Sequence, residues 1–226
     1  MEEIKLTNTK IKIDRKTKME YTNPNAEVVI VGVTPGNNQL KNDRKNKTPE
    51  EIKKENSFAG KNMRKNLIDM LDFIGINKTL EIDSCKTIFE EDFNKVECTS
   101  WLKDATFEVN KEGKKKMFNK PSKIMKSEEL KEEFEKGFLK DCENYKKAKV
   151  IVALGRENEE LLKNQQSEGK INENIKIIAI PHPSGANMGR VNAFLGKGKS
   201  KSDSSYEWAE SAGKKAKREI KEINKK

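Results

Sequence analysis

The run Val28-Val29-Ile30-Val31 constrains the fold more than any other stretch, because it is continuously apolar and β-branched. A strand with one wet face alternates apolar and polar residues, whereas a strand covered on both faces has no need to. Val150–Leu154 (VIVAL) and the end of Ile175–Ile180 (IIAI) have the same character, and Lys95–Leu102 (KVECTSWL) is a further core strand. Helical patterns fall between these runs. Met63, Leu67, Met70, Leu71 and Ile74 recur at helical spacing within Lys61 to Ile74, and Gly75 closes that helix. A long helix is expected from an N-cap at Ser127, with Glu128 and Glu129 in its first turn, to Lys147. A short one spans Arg156 to Asn164. Strands at 27–33, 95–102, 150–154 and 175–180, alternating with helices, predict an α/β protein: a three-layer α/β/α sandwich around a mostly parallel central sheet of about four strands.

The length, 226 residues, suits one domain, 1–226, with a full core. Residues 1–25 are polar and are expected to form an N-terminal arm or irregular lead-in ending at Asn23-Pro24-Asn25. Leu40 to Asn56 is charged and reads as a mobile loop with a short helix from Pro49. The Lys-rich stretch after Leu102 reads as irregular up to Pro121, and Ser204 to Lys226 as a basic, frayed C-terminal helix.

Apolar residues make up 33% and charged residues 37%, so a modest core carries long solvated faces. The net charge of +10 suits a polyanionic partner such as nucleic acid. The basic residues are spread along the chain, however, and abundant Lys, Asn, Glu and Ile also reflect an AT-rich coding bias. Cys85, Cys98 and Cys142 lie far apart without a CxxC pair, which argues against a disulfide framework, a zinc site and an iron–sulfur cluster. Cys98 reads as a small core residue. No metal or other cofactor is implied. No segment is long and apolar enough to span a membrane, and MEEIKLTNTK lacks a signal-peptide core, so a cytoplasmic protein is expected.

Ligands of open α/β sheets sit at the carboxyl ends of the strands, and two turns there carry unusual chemistry. The first is Gly32-Val33-Thr34-Pro35-Gly36, followed by Asn37, Asn38 and Gln39. A turn this rich in Gly and Pro allows close approach of backbone to a ligand. The second is Pro181-His182-Pro183-Ser184-Gly185, which holds the chain's sole histidine between two prolines. A histidine fixed there can donate to a carbonyl oxygen as negative charge develops on it, or can simply pin its own loop.

The order of these features carries a family resemblance: an apolar strand and GVTPG, FAGKNMRKNL opening a helix, a central strand with TS, then VIVALG and IIAIPHPSG. It resembles the uracil-DNA glycosylase superfamily, with its G-x-[DNA]-P-[GY] turn on the first strand and H-P-S loop on the last. The branch it is most similar to is marked by TPGxxQ and HPSGxN. The resemblance spans roughly Glu27 to Gly196, most of the chain. It implies DNA as partner and a pocket that receives a flipped base. Gly32, Pro35, Gly36 and Gln39 would lie against that nucleotide, with Thr34 and Asn37 holding the attacking water. Phe58 would stack on the base, unless it is only a core residue at a helix start. His182 would stabilise the departing base as its anion. Ser184, Gly185, Asn187 and Arg190 would touch DNA, within a loop Asn187–Asn192 that enters the duplex.

The departures from the family pattern shape the functional expectation. Thr34 stands where active members carry Asp or Asn, and a hydroxyl orients water but is a poor base. Ser100 replaces the Asn that reads the edge of uracil, so uracil specificity does not carry over. The usual Leu wedge is missing, leaving Met188 and Val191 as apolar candidates. The expected activity is hydrolysis of an N-glycosidic bond in DNA, possible with weak base assistance because leaving-group stabilisation does most of the work. The competing class is a module that grips DNA or a modified nucleotide without cutting. A nucleotide-handling hydrolase is a third, but a P-loop and an acidic metal cluster are lacking.

Overall fold

The continuously apolar strands lie in a sheet that is covered on both faces. The computed structural model describes residues 2–6, 9–14, 22–36, 57–60, 62–90, 93–198 and 203–225. In chain order the strands and longer helices are β1 (Glu2–Leu6), β2 (Thr9–Asp14), β3 (Val28–Gly32), α1 (Met63–Ile74), β4 (Val96–Ser100), β5 (Ala105–Val109), β6 (Lys115–Met117), α2 (Glu128–Phe134), β7 (Val150–Leu154), α3 (Arg156–Ser167), β8 (Lys176–Ile180), α4 (Met188–Phe194) and α5 (Ser204–Ile223).

The central sheet runs β4-β3-β7-β8 with every neighbouring pair parallel. Successive side chains of a strand point to opposite faces, so each run feeds two cores. Val29, Val31, Ile151 and Ala153 face one core, which is closed by Leu161 and Leu162 of α3 and by Trp101, Phe134 and Phe138. The Trp101 ring stacks on Phe134 and Phe138 with centroids 4.6 and 5.7 Å away. Val28, Ile30, Val150 and Val152 face the other core, beneath Leu67, Met70 and Leu71 of α1, Phe194 of α4 and Ile220 of α5. This is the α/β/α sandwich that the apolar runs predict, with all four strands where they are expected. Helix α1 also ends as expected, at Gly75 (φ 92°), whose N–H bonds to the Leu71 and Asp72 carbonyls.

Two stretches expected to be irregular are strands instead. Strands β1 and β2, from the supposed arm, join β5 and β6, from the Lys-rich segment, in an antiparallel sheet of order β1-β2-β5-β6. The reason is period-two alternation beneath a charged surface: Ile11 and Ile13 enter the first core while Lys10 and Lys12 face outward, near Glu3. The expected loop and Pro49 helix between Leu40 and Asn56 lie outside the described residues.

The long helix expected over Ser127–Lys147 is also corrected. Ser127 does cap it, accepting from the Leu130 N–H, but α2 passes into a π-helical turn at Glu135–Leu139 and the helix ends at Cys142. The turn wraps around a buried cation. A Cβ on Gly137 would stand 3.0 Å from the Lys103 side chain, a contact tighter than side chains usually make, so glycine eases this approach. Lys103 pairs with Asp141 and donates to the Thr99 hydroxyl at 2.7 Å, while Thr22 donates to Asp141 at 2.7 Å. Burial pushes the Lys103 pKa down, and Asp141 opposes the shift. Removing one partner of such a pair strands a charge in the core. Asp141→Ala is therefore expected to lower stability by about 3–5 kcal/mol in chemical denaturation. The double change Lys103→Met/Asp141→Leu should cost much less, and equal losses would show that the pair matters only as packing.

Candidate active site

The carboxyl ends of β3, β4, β7 and β8 open into one cleft of about 1170 Å³. Gly32, Val33, Thr34 and Gly36 form one wall and Pro181, His182 and Ser184 another, so the two unusual turns face each other as expected. Phe58 and Ser100 complete the inner part, and Arg190 stands at the rim. Pro35 is buried and Gly185 exposed, and neither contributes to the wall. Asn37 and Gln39, with Asn38, lie outside the described residues.

The first turn is held from the neighbouring strand: the Trp101 and Leu102 N–H groups donate to the Gly32 and Val33 carbonyls, each at 3.0 Å. The Thr34 hydroxyl donates to the Asp104 carbonyl and accepts from the Thr106 N–H, both at 3.0 Å. Its proton is thus committed to a joint with β5, and one lone pair is left toward the cleft. Ser100 pairs with Gly32 across the sheet and is almost fully buried.

Phe58 adopts a left-handed backbone (φ 55°), which is uncommon for a bulky residue. The Arg64 guanidinium secures this turn by donating to the Ser57 carbonyl at 2.9 Å, and it also lies over the Phe89 ring at 4.3 Å. Phe58 packs on the second core and borders the cleft.

The histidine loop is pinned from α1. The buried Asn66 amide donates to the Pro183 carbonyl at 2.9 Å and contacts the Met188 sulfur at 3.1 Å. Within the loop, the Ser184 N–H donates to His182 Nδ1 at 3.3 Å. Nδ1 is therefore the acceptor nitrogen, and in the neutral ring the proton sits on Nε2. His182 is exposed on the cleft wall, but partial desolvation by the protein around it lowers its pKa from the ordinary value of 6.5. His182 is thus a neutral hydrogen-bond donor at neutral pH.

The segment after Ser184 differs from the expected loop. Gly185–Asn187 is a 3-10 turn and Met188–Phe194 is α4. Asn187 spends its amide inside the protein, donating to the His182 carbonyl (3.2 Å) and the Ser184 hydroxyl (3.1 Å) and accepting from Arg190 (2.9 Å). Val191 is 1% exposed and cannot act as a wedge, whereas Met188, at 37%, projects from the surface.

Several wall residues escape the sequence reading. Lys115, Lys116 and Asn119 come from β6 and its exit, Arg156, Glu157 and Asn158 from the head of α3, and Trp208 from α5. Cys98, expected in the core, is only partly buried and borders the cleft. Four cations against one carboxylate, Glu157, give the described wall a positive balance. Among the described residues no His, Cys, Asp or Glu side chains group as a metal site, and no helix is long and apolar enough to cross a membrane.

A parallel α/β sheet whose first and last strands present a Pro-bearing turn and a histidine loop to one cleft defines a glycosylase-like fold. The chain belongs to the uracil DNA glycosylase superfamily, whose family model matches residues 19–203. It is 28% identical over 189 residues to the Bacillus subtilis (strain 168) protein "Uncharacterized protein YoxB", covering 77% of this chain and 71% of that one. The structure of Pedobacter heparinus SMUG2 aligns with a TM-score of 0.46 at 12% identity, over 89% of this chain and 77% of the other.

The lowered pKa of His182 has a measurable consequence. In an NMR titration the sole histidine should show a midpoint below 6.5. Because the folded value lies below the unfolded one, protonation favours the unfolded chain, and this contribution to stability is lost as pH falls from 6.5 toward the folded value. A midpoint at or above 6.5 would mean that the ring is solvated or faces a carboxylate.

Proposed function

We propose that this protein binds DNA, extrudes a base into the cleft and hydrolyses its N-glycosidic bond, leaving an abasic site. The observation that carries this reading is the placement of His182 on the cleft wall with Nδ1 already taken by the protein. Its Nδ1 accepts from the Ser184 N–H, which leaves Nε2–H free to donate, and the residue lines the same cleft as the Gly32–Gly36 turn. A neutral donor strengthens its bond as the departing base gains negative charge on a carbonyl oxygen, which lowers the barrier without requiring a strong general base. Phe58 offers a face for the base, and such stacking contributes about 1–3 kcal/mol whatever the base. Arg190, Lys115 and Lys116 at the cleft supply positive charge for phosphates.

A second reading is supported by Thr34. Its hydroxyl proton is already given to the Asp104 carbonyl, and a threonine cannot take a proton from water near neutral pH. The same cleft could then hold a flipped base, or a modified nucleotide, without cutting.

Incubation with oligonucleotides carrying a panel of normal and modified bases, followed by alkaline cleavage of abasic sites, separates the two readings. Cleavage at one base supports the enzyme, and binding without cleavage at any supports the module. If the enzyme reading holds, His182→Ala should slow single-turnover cleavage by about a hundred- to a thousandfold with little change in DNA affinity. An unchanged rate would reduce His182 to a loop pin.

Binding is expected to weaken steeply with salt through counterion release. Lys116→Ala should weaken binding to all sequences alike and reduce the salt slope by about one unit. Affinity indifferent to salt would remove DNA as the partner.

A further inference from the structure

The β5–β6 hairpin concentrates positive charge that the fold does not answer. Lys111, Lys114, Lys115 and Lys116 are all exposed, with Glu112 the one acid between them. Lys65, Lys136, Lys163 and Lys214, on helices, each pair with a carboxylate one turn away. Lys111, Lys114 and Lys116 have no ion pair among the described residues. Glu108, opposite Lys116 across the hairpin, is already paired with Lys123 and Lys120, at 2.8 and 3.7 Å.

The hairpin is a stiff extension of the cleft wall. Its turn is closed by the Asn110 N–H donating to the Lys114 carbonyl (3.1 Å), the Gly113 N–H to the Asn110 carbonyl (3.0 Å) and the Lys114 N–H to the Asn110 side-chain oxygen (2.7 Å). Gly113, at φ 77°, supplies the left-handed residue that this turn needs. At the other end the Thr106 N–H donates to the Thr34 hydroxyl and the Phe118 N–H to the Thr106 carbonyl, at 3.0 and 2.9 Å. Both strands are thereby fastened to the first turn of the cleft. Lys115 and Lys116 line the cleft, whereas Lys114 and Lys111 lie beyond its lining toward the tip. A strand advances ~3.4 Å per residue, so the tip stands roughly 10–15 Å past the wall. Each strand of B-DNA carries a phosphate every ~3.4 Å of axis, so that reach spans about three to four base pairs.

Lysine on an edge strand can also serve only to deter pairing with another sheet. Strand β6 is such an edge, but it is only Lys115–Met117. Lys111 and Lys114 stand in the turn, outside the ladder that would need protection.

We propose that the β5–β6 hairpin is a clamp on the DNA backbone: Lys111, Lys114 and Lys116 contact phosphates on one side of the extruded nucleotide, beyond the cleft itself. This rests on the DNA reading of the cleft and adds that the two flanks of the duplex are held unequally.

The test measures equilibrium binding of the full chain to duplexes with one central abasic-site analogue. Short blocks of neutral methylphosphonate linkages replace the phosphates on one flank or the other. Neutralising the flank under the hairpin should weaken wild-type binding on the order of tenfold, and each lost phosphate contact should lower the salt slope by about 0.9. The same block on the opposite flank should do much less. Lys111→Gln/Lys114→Gln should bind the unmodified duplex with a slope lower by about two units and should respond little to either block. Lys111→Arg/Lys114→Arg, which keeps the charge, should respond as the wild type does. Both side chains are exposed, and a thermal melt checks that the variants fold. A wild type that responds equally to blocks on the two flanks overturns the clamp. So does a folded Gln variant that keeps the wild-type response, and self-association of that variant would then mark the lysines as edge protection. These outcomes leave the base-flipping reading intact. A wild type with no salt-dependent affinity for any duplex overturns that reading, and the clamp with it.

Discussion

Two-sided burial of the central strands is the constraint on which the rest depends. Val28–Val31 and Val150–Leu154 are apolar at every position, so helices must cover both faces of the sheet, and only parallel strands with helical crossovers do so in a short chain. Once the strands are parallel, their carboxyl ends collect at one edge. Gly32–Gly36, Ser100, Gly155 and Pro181–Ser184 thereby come together although they lie far apart in sequence. The cleft follows from the way the core is buried and requires no dedicated scaffold.

Rigidity at the cleft comes from polar groups that reach across elements. Asn66 on α1 holds the Pro183 carbonyl, Arg64 holds Ser57 ahead of Phe58, and Asn187 ties His182 to Ser184. Each gives a backbone or side-chain group of these loops a hydrogen-bond partner, so hydrogen bonds help to hold the loops in place. In the proposed reaction such rigidity would help, since a donor already in place needs no reorganisation as charge develops. It also explains why Asn187 faces inward: its amide is used up in positioning His182.

The sheet and the two turns are legible in the sequence because apolar runs and Gly/Pro punctuation are local signals. The antiparallel sheet is not, because β6 is only three residues of Lys-Lys-Met and β2 shows alternation inside a strongly charged stretch. The π-helical turn at Glu135–Leu139 is invisible for a different reason. It packs against Lys103, distant in sequence, whose charge is buried against Asp141. At the site, His182 and Thr34 announce themselves through their motifs, whereas Asn66 and Asn158 look like ordinary polar residues on helices. Only the fold shows that Asn66 pins the histidine loop and that Asn158 ties the head of α3 to the Leu154 carbonyl.

Thr34 connects these two kinds of information. Its place in the first turn matches a position at which family members carry an acid or an amide, yet here the side chain joins the parallel sheet to the antiparallel one. That joint requires a group that donates to the Asp104 carbonyl and accepts from the Thr106 N–H at once. A hydroxyl does both, whereas an ionised carboxylate has no proton to give and would face the Asp104 oxygen unpaired. Thr34 is thus engaged in the docking of β5, and the chemistry proposed for the cleft falls to what remains. In the reaction proposed above, that leaves the histidine on the opposite wall to stabilise the leaving group, with little help from a base on the near one.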